Sequence, residues 1–516
     1  MSSLVEPITV GSKMKKFRLH VEVGDVVGGI SAAFVLIPQA LAYAVLAGMP
    51  AERGLHVAAL APIAAAFFAS SPYLGTGPTA ITSLLTLGGL TALARPGSAH
   101  YIALGALLAL LVGAVRVVMG LLRLGVLSHL ISRPVLTGFT TGAAVVIIAS
   151  QVPTVVGSKA HSDNPFLSAF DALRHPAEWR PASIAMAVVA AALIGGGRKI
   201  HRLFPGVLLA VVVGVAWTAT FGYNGSVVGK VVGGFPMFSL DLPWGSVPQL
   251  VLPALVIAVV GFAEPTSIAR YYATLERTRW DPDRELVSQG LANLAAAVGG
   301  GFPAGGSFTR SALVREAGAR TRLAGGITGA VVLILLPFMS VLGNLPTAVL
   351  GACIIMAVRS LIVVRPFLEY RRYTRLQFYV AVITFALTIA AAPHVERAVI
   401  AGVVLAIGAH LSRELRVTIR TWSEGATLHL APKGVLYFAS APLLEERLGT
   451  LLSETPGADA LVVHLDGLGR IDVSGALGLR SVLEQAEEAG LQATVCDIPP
   501  QSKKIVRRVL EGQHGS

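Results

Sequence analysis

The chain has 516 residues, of which 54% belong to the hydrophobic class and only 14% are charged. A soluble domain carries about 25% charged residues and a disordered chain is poor in apolar ones, so both classes are excluded. The mean hydropathy of +0.69 predicts a polytopic membrane protein. The two cysteines are too few for a disulfide framework or a thiolate metal site, and we expect two reduced thiols.

The charge of the sequence changes sign near residue 423. Residues 1–423 carry a net charge of +16, and residues 424–516 carry −4. We therefore predict a cytoplasmic N-terminal segment at 1–25, a transmembrane domain at 26–423 and a cytoplasmic domain at 424–516. The first residues lack the apolar core and the cleavage site of a secretory signal peptide, so we expect no removal of this segment.

Apolar spans of about 20 residues, long enough for a transmembrane helix, recur before residue 423. Twelve are predicted, at 26–46, 54–70, 101–121, 134–152, 183–200, 206–221, 247–270, 284–300, 321–341, 345–361, 376–391 and 393–411. Shorter helices at 78–94 and 307–318 bring the count to fourteen, which puts both termini on one side. Of the Lys and Arg residues, 25 fall in the predicted inner segments and seven in the outer loops, which favours cytoplasmic termini. The basic charge is then a topology signal, and we expect no nucleic-acid binding.

The two short segments each follow a stretch rich in Gly and Pro. Segment 78–94 follows Tyr-Leu-Gly-Thr-Gly-Pro, and segment 307–318 follows Gly-Gly-Gly-Phe-Pro-Ala-Gly-Gly. Twelve helical residues reach about 18 Å, short of the hydrocarbon core of about 30 Å, so the second helix begins in mid-membrane. Paired interruptions at the same place in two halves predict an inverted repeat with a midplane substrate site. Two helix N-termini there would bind an anion; the alternative is that the glycines serve close helix packing.

Two stretches of the membrane part resemble the sulfate permease family of anion transporters. Residues 24–48, which begin Gly-Asp-Val-Val-Gly-Gly, resemble the first-helix signature of that family. Asn293, followed by Gly-Gly-Ser-Phe-Thr-Arg-Ser at 305–311 and Ala-Gly-Ala-Arg-Thr-Arg at 317–322, resembles its ninth-to-eleventh-helix signature.

The tail resembles a STAS domain, the module that these transporters share with anti-sigma-factor antagonists. Its resemblance rests on a first strand at 434–438, a later strand at 461–466 and a helix start at 471–475. Together the resemblances imply fourteen membrane segments as seven plus seven inverted repeats, a uracil-transporter-like fold, and a C-terminal α/β STAS domain. They also imply a core bundle that moves against a gate bundle, and anion transport rather than an enzyme activity.

The resemblance to the family implies a central cavity between the first, third, eighth and tenth helices. The substrate-binding residues that it places there are Gln39, Tyr43, Thr79, Ala80, Ser83, Ser267, Ser307, Phe308, Thr309 and Arg310. Gln39 and Tyr43 share a helix face, which fits either the cavity or an interhelical hydrogen bond. Phe308 supplies an apolar wall or simply packs. The donor fork of Arg310 suits an oxyanion, with a structural ion pair to Glu264 as the alternative.

Glu264 is the one carboxylate deep in a predicted apolar span. An ionisable residue in a membrane helix is a candidate for function, so we expect Glu264 to couple transport to protons. The alternative is a permanently paired structural carboxylate. Ile268 follows one turn later, where the resemblance to sodium-coupled relatives would require a hydroxyl, so sodium coupling is less favoured.

Ser474 occupies the position that is phosphorylated in anti-sigma antagonists, although Val473 precedes it where another Ser or Thr is usual. It is a candidate regulatory phosphosite, or only a helix N-cap.

We therefore predict a secondary active transporter of inorganic anions, by default sulfate, or of small dicarboxylates. It would work by alternating access in the inner (plasma) membrane, without a cofactor or a metal. The alternatives are a passive anion channel or an electromotile-type sensor on the same fold, a bicarbonate/chloride exchanger and, less favoured, a nucleobase permease. Besides the anion and the lipid bilayer, the expected partners are a second copy in a homodimer and a cytoplasmic partner of the STAS domain.

Overall fold

The computed structural model describes residues 21–126, 132–159, 161–200, 204–231, 233–236, 241–414, 418–437 and 441–511. The chain forms two compact units, Met1–Val403 and Val404–Ser516. Of the predicted N-terminal segment, only residues 21–25 are among the described residues.

Among its described residues, the first unit is mainly helical and contains one short two-stranded sheet. Its helices, the last of which runs into the second unit, are α1 (Val23–Leu46), α2 (Ala51–Phe68), α3 (Ala80–Thr91), α4 (Ala99–Leu121), α5 (Arg133–Val156), α6 (Pro165–Arg174), α7 (Pro181–Ile200), α8 (Gly206–Phe221), α9 (Val247–Leu275), α10 (Pro282–Val298), α11 (Phe308–Glu316), α12 (Leu323–Leu335), α13 (Thr347–Val358), α14 (Arg365–Tyr373), α15 (Arg375–Ala390) and α16 (Val395–Glu414). The two strands are β1 (Gly75–Gly77) and β2 (Gly305–Ser307).

Several helices have the length and apolar composition of membrane spans. Within the described residues, six qualify: Val23–Leu46, Ala99–Leu121, Arg133–Val156, Trp244–Leu275, Leu323–Asn344 and Thr347–Tyr373. Four shorter apolar helices are Ala80–Thr91, Pro181–Gly197, Gly206–Phe221 and Arg375–Ala390. The two predicted short segments are the 12-residue α3 and the 9-residue α11. Helices α6 and α14 are not predicted by the sequence; each has a proline at its first or second position, which suits a helix start.

The helices of the first unit pack into two bundles. In the first bundle, α10 packs against α2 and α4, and α12 packs against α1 and α2. In the second bundle, α5 packs against α13 and α15, and α7 packs against α8 and α13. Where α4 crosses α10, a Cβ on either Gly113 or Gly290 would lie 2.9 Å from the carbonyl oxygen of the other, so glycine permits this close crossing.

Strands β1 and β2 join the starts of α3 and α11. They pair antiparallel, with Gly75 opposite Ser307 and Gly77 opposite Gly305. Backbone groups buried away from water need internal hydrogen-bond partners, and this ladder supplies them for two segments that are not helical. A Cβ on Gly75 would lie 2.6 Å from the Cβ of Arg310, so glycine is required where β1 approaches α11.

The second unit contains an α/β domain. Its elements are β3 (Thr418–Glu424), β4 (Thr427–Leu436), α17 (Ala441–Glu454), β5 (Ala460–His464), β6 (Leu468–Ile471), α18 (Val473–Glu488), β7 (Gln492–Cys496) and α19 (Lys503–Glu511). The strand order is β3-β4-β5-β7, with β6 beside β4, and only the β3–β4 pair is antiparallel. Alternate strand residues such as Leu428, Leu430, Leu461 and Val463 form a core with apolar residues of the three helices.

The structure corrects the sequence prediction for the tail. The sequence predicts a first strand at 434–438, but β3 precedes it, and residues 434–436 form the end of β4. Helix α18 is capped by Asp472, whose side chain accepts a hydrogen bond from the amide of Gly475 at 2.7 Å. Ser474 lies exposed inside the helix, so its interpretation as the N-cap is wrong. The predicted boundary between residues 423 and 424 falls within β3.

Candidate functional site

A cavity of about 340 Å³ lies between the two bundles. Its walls come from α1, α3, α9 and α11 of the first bundle, and from α5 and α13 with the residues after α13 on the other side. The lining residues are Tyr43, Thr79, Ala80, Ile81, Leu136, Thr137, Thr140, Val260, Glu264, Ser267, Ser307, Phe308, Thr309, Ala357, Val358, Ser360, Leu361 and Val363.

The structure brings most of the predicted site residues to this cavity. Those that line it are Tyr43, Thr79, Ala80, Glu264, Ser267, Ser307, Phe308 and Thr309. Gln39, Ser83 and Arg310 are buried and are not among the lining residues. Phe308 is 45% exposed, as expected for an apolar wall rather than for a packed core residue.

The N-termini of α3 and α11 both meet the cavity. Thr79 is the N-cap of α3 and accepts a hydrogen bond from the amide of Thr82 at 3.3 Å. Ser307 is the N-cap of α11, but its side chain makes no capping bond. Instead, the amide of Phe308 donates to Oε1 of Glu264 at 3.4 Å. The free amides and the positive dipole end of α11 therefore already hold one carboxylate.

Arg310 lies behind the cavity wall. Its side chain is almost fully buried and donates to Oε1 of Gln39 and to the carbonyl oxygen of Gly75, both at 3.2 Å. Gln39 thus makes the interhelical hydrogen bond that the sequence left as an alternative. Arg310 and Glu264 are both described, and the two side chains form no ion pair, so that interpretation is wrong.

Sequence reasoning missed the wall that the second bundle contributes. Thr137 and Thr140 on α5 and Ser360 after α13 bring three hydroxyl-bearing residues to the cavity. The spacing of three between the two threonines puts them on one helix face, which is the signal that was available. Because this wall belongs to the opposite bundle, the cavity is formed by both.

A second buried arginine, Arg116 on α4, was also missed. It is 0% exposed and donates to the carbonyl oxygens of Ala258 at 3.2 Å and of Ile257 and Ala304 at 3.0 Å. Asn293 accepts a hydrogen bond from the amide of Ala304 at 2.9 Å. Arg116 and Asn293 thus hold the carbonyl and the amide of Ala304, just before β2. These bonds give Arg116 a structural role in fastening α4 to α9 and β2.

Two further carboxylates are as buried as any in the first unit. Asp25 accepts from the amides of Arg320 and Thr321 at 2.8 Å. Glu285 accepts from the amides of Ser70 and Ser71 at 3.0 and 2.9 Å. Both acids therefore hold a loop by accepting hydrogen bonds from its amides, whereas Glu264 faces the cavity.

A second cavity, of about 800 Å³, shares Leu136 and Ser267 with the first. Its lining includes Arg133, Arg270 and Arg277. A path lined by one sign of charge raises the local concentration of ions of the opposite sign, here anions.

Comparison with known proteins assigns both parts of the sequence to known domain families. The family profile described as the sulfate permease family matches residues 23–384, and the STAS domain profile matches residues 421–510. A probable sulfate transporter of Mycobacterium tuberculosis (strain H37Rv) is 34% identical over 373 residues, which cover 70% of this chain and 66% of that protein. The chain thus spans just under two thirds of that relative. The sodium-independent sulfate anion transporter of Bos taurus is 29% identical over 507 residues, covering 90% of this chain and 82% of that protein.

Solved structures with the same fold include the murine Solute Carrier 26 family member A9 anion transporter in the inward-facing state. It aligns with a TM-score of 0.85 at 19% identity, covering 96% of this chain and 88% of that one. The transmembrane domain of the cyanobacterial bicarbonate transporter BicA aligns with a TM-score of 0.64 at 23% identity, covering 75% of this chain and 97% of that one. Since the family profile covers most of the membrane unit and a STAS profile covers the tail, the chain belongs to the sulfate permease family, a family of multi-pass membrane transporters and not of enzymes.

Proposed function

We propose that this protein is a secondary active transporter of inorganic anions, with sulfate as the first candidate, and that the anion binds at the starts of α3 and α11. The observation that carries the proposal is the β1–β2 pair, which brings two helix N-termini to one cavity with the charge of Arg310 behind it. Free amides, dipole ends and a nearby cation favour an anion. The relatives named as sulfate transporters support the choice of sulfate.

The proposed architecture is fourteen membrane segments in two halves of seven. Leaving out α6 and α14, the described helices before residue 415 give α1–α5, α7 and α8 for one half, and α9–α13, α15 and α16 for the other. Helices α3 and α11 then hold the third place in each half, as an inverted repeat requires. With both termini in the cytoplasm of a plasma-membrane protein, movement of one bundle against the other would open the cavity alternately to each side.

The hydrogen bond between Glu264 and α11 supports the proposal of proton coupling through Glu264. The ionised carboxylate accepts the hydrogen bond of the Phe308 amide, which a bound anion would also need. The negative charge of Glu264 also repels that anion. Protonation removes the charge and weakens the hold on the amide. Anion and proton would then bind together, and the pair crosses a low-dielectric path at a lower free-energy cost than a bare anion.

Two proposals concern the assembly. The chain would form a homodimer in the membrane, and its STAS domain would bind a cytoplasmic partner. Ser474 remains the proposed phosphosite. Its side chain is exposed on α18, and a kinase needs such access to its substrate residue.

The test is transport in proteoliposomes with radiolabelled sulfate, with bicarbonate, chloride and fumarate as competitors. An inward proton gradient should drive accumulation of sulfate above equilibrium, and an imposed sodium gradient should not. Ala80→Trp and Ser307→Trp should abolish uptake because each fills the space at a helix start. Val212→Trp on the outer surface of α8, where Val212 is 53% exposed, is the control that should transport normally.

Each failure has a separate meaning. Flux that only equilibrates sulfate would make the protein a passive channel, and flux that requires an anion on the other side would make it an exchanger. Normal uptake by both tryptophan variants at the helix starts would refute the site.

A further inference from the structure

The STAS sheet carries a polar cluster on the face opposite its helices. One face contributes Leu428, Leu430 and Val463 to the core with α17, α18 and α19. Side chains alternate along a strand, so His429 on β4 and His464 on β5 lie on the other face. Cys496, the last residue of β7, joins them there. None of these three residues lines the cavity proposed for the anion.

Strand register brings these residues together. In the parallel β5–β7 pair, His464 stands opposite Cys496. In the β4–β5 pair, His429 stands opposite Val462, two residues before His464, so the two imidazoles are diagonal neighbours. Trp422 on β3 stands opposite His429 and stacks on its ring, with a centroid distance of 4.9 Å and an interplanar angle of 5°. The cluster is therefore held by the backbone ladder and by ring stacking.

The donor atoms have the spacing of metal ligands. Nδ1 of His464 lies 3.1 Å from Sγ of Cys496 and 3.2 Å from Oδ2 of Asp497. The ligand atoms of all three residues lie within 4.8 Å of one another. A tetrahedral zinc ion with bonds of about 2.0–2.3 Å keeps its ligand atoms about 3.3–3.8 Å apart. The two distances from Nδ1 of His464 fall a few tenths of an ångström short of this range, so a small outward shift of that ring would bring them into it.

We propose that His464, Cys496 and Asp497 form a binding site for one divalent metal ion of the zinc class. An imidazole nitrogen, a thiolate and a carboxylate are the ligands that zinc takes, whereas magnesium and calcium prefer sites made of oxygen alone. Three protein ligands leave the fourth tetrahedral position to water. The Asp497 side chain is 57% exposed, which gives the ion a path from solvent.

His429 supplies the outer-shell partner that a metal-bound histidine needs. Nε2 of His464 lies 3.0 Å from Nδ1 of His429. When Nδ1 of His464 binds the metal, Nε2 carries the proton and donates it to His429. Such a partner fixes both the tautomer and the orientation of the ligand ring, and its loss lowers metal affinity about 10–100-fold. His429 therefore acts as a positioning residue.

The test uses the full-length protein, purified in detergent without a polyhistidine tag, stripped with a chelator under reducing conditions and titrated with Co²⁺. We expect one Co²⁺ per chain with the thiolate-to-cobalt charge-transfer band of a tetrahedral site, and displacement of that band by Zn²⁺. Cys496→Ser should lose the band, and His464→Phe should lose binding. His429→Phe keeps an aromatic ring beside Trp422 and should weaken binding about 10–100-fold while retaining the band.

Cys353→Ser is the matched control, because Cys353 is the other cysteine of the chain and is buried in α13. It should bind Co²⁺ as the parent does. Absence of the thiolate band in the parent, or an unchanged band in Cys496→Ser, would refute the site and leave only a hydrogen-bonded cluster. Circular dichroism of Cys496→Ser and His464→Phe verifies that lost binding is not lost folding.

Discussion

In the proposed mechanism, Glu264 and the anion compete for one hydrogen-bond donor. The Phe308 amide at the start of α11 points to the Glu264 carboxylate across 3.4 Å. A hydrogen bond between a helix N-terminus and an ionised group is charge-assisted, so whichever anion occupies the amide excludes the other. Protonation of one residue would then decide whether the cavity is ready for substrate.

The first prediction is that Glu264→Gln uncouples transport from protons. The amide side chain keeps the shape and one accepting oxygen, but it does not titrate. The variant should still exchange sulfate across proteoliposome membranes, while accumulation driven by an inward proton gradient falls to the level without a gradient. Radiolabelled uptake at matched and opposed pH measures this.

The control for that prediction is Glu276→Gln at the end of the same helix, where Glu276 pairs with Arg315 at 2.8 Å near the surface. This variant should keep coupled accumulation. If Glu264→Gln concentrates sulfate with the pH dependence of the parent, Glu264 is structural and the coupling group lies elsewhere.

At the scale of elements, the β1–β2 pair fixes the relation between α3 and α11. Each of these helices is too short to cross the bilayer, so its start must be anchored by something other than lipid. The ladder between residues 75–77 and 305–307 does this, and the amide of Gly75 also donates to Oγ of Ser311 at 2.9 Å. The two helix starts are therefore held to each other within one bundle.

The second prediction is that Gly75→Ala disturbs this anchor. The new Cβ would lie 2.6 Å from the Cβ of Arg310, so β1 and α11 must separate. Overpacking of this kind costs about 1–3 kcal/mol. We expect a lower midpoint of thermal unfolding in detergent and slower sulfate uptake.

Gly196→Ala on α7 serves as its control, since a Cβ there meets nothing within 4 Å. Its unfolding midpoint should match or exceed that of the parent, because alanine favours helix over glycine. If Gly75→Ala and the parent unfold at the same midpoint, β1 can move away from α11 without loss of stability, which would contradict the proposed anchoring.

At the scale of the whole molecule, the membrane unit and the STAS domain each have their own hydrophobic core. Leu428, Leu461 and Leu479 belong to the STAS core, whereas Leu36, Leu41 and Leu84 belong to the core of the membrane unit. A domain with its own core can fold alone. The cavity that we propose as the transport site is likewise lined only by residues before 364.

The third prediction is that deletion of residues 418–516 leaves a folded membrane unit that still binds sulfate. The cut precedes β3, because a cut at 424 would leave most of a strand without its sheet. Binding by scintillation proximity should persist, with an altered transport rate or altered delivery to the membrane. Aggregation of the shortened protein on size-exclusion chromatography in detergent would contradict the independence of the two domains.

Local properties of the sequence determined the class of the protein and the neighbourhood of its site. Hydropathy runs specify the membrane helices, and Gly/Pro stretches mark the breaks before α3 and α11, because both effects act within a few residues. Eight of the predicted residues line the cavity. They lie at or near these breaks, or on the helices to which the family resemblance assigned the cavity.

Only the tertiary structure decided which side chains meet. The β1–β2 pairing joins segments more than 200 residues apart, and Arg310 reaches Gln39 from 271 residues away, so neither is visible in local pattern. The threonines of α5 enter the cavity because the second bundle packs there. His429, His464 and Cys496 have no ligand spacing in the sequence, yet parallel strand register sets them side by side. Pairing between distant segments depends on the packing of the whole chain, and that is why sequence alone left these contacts undetermined.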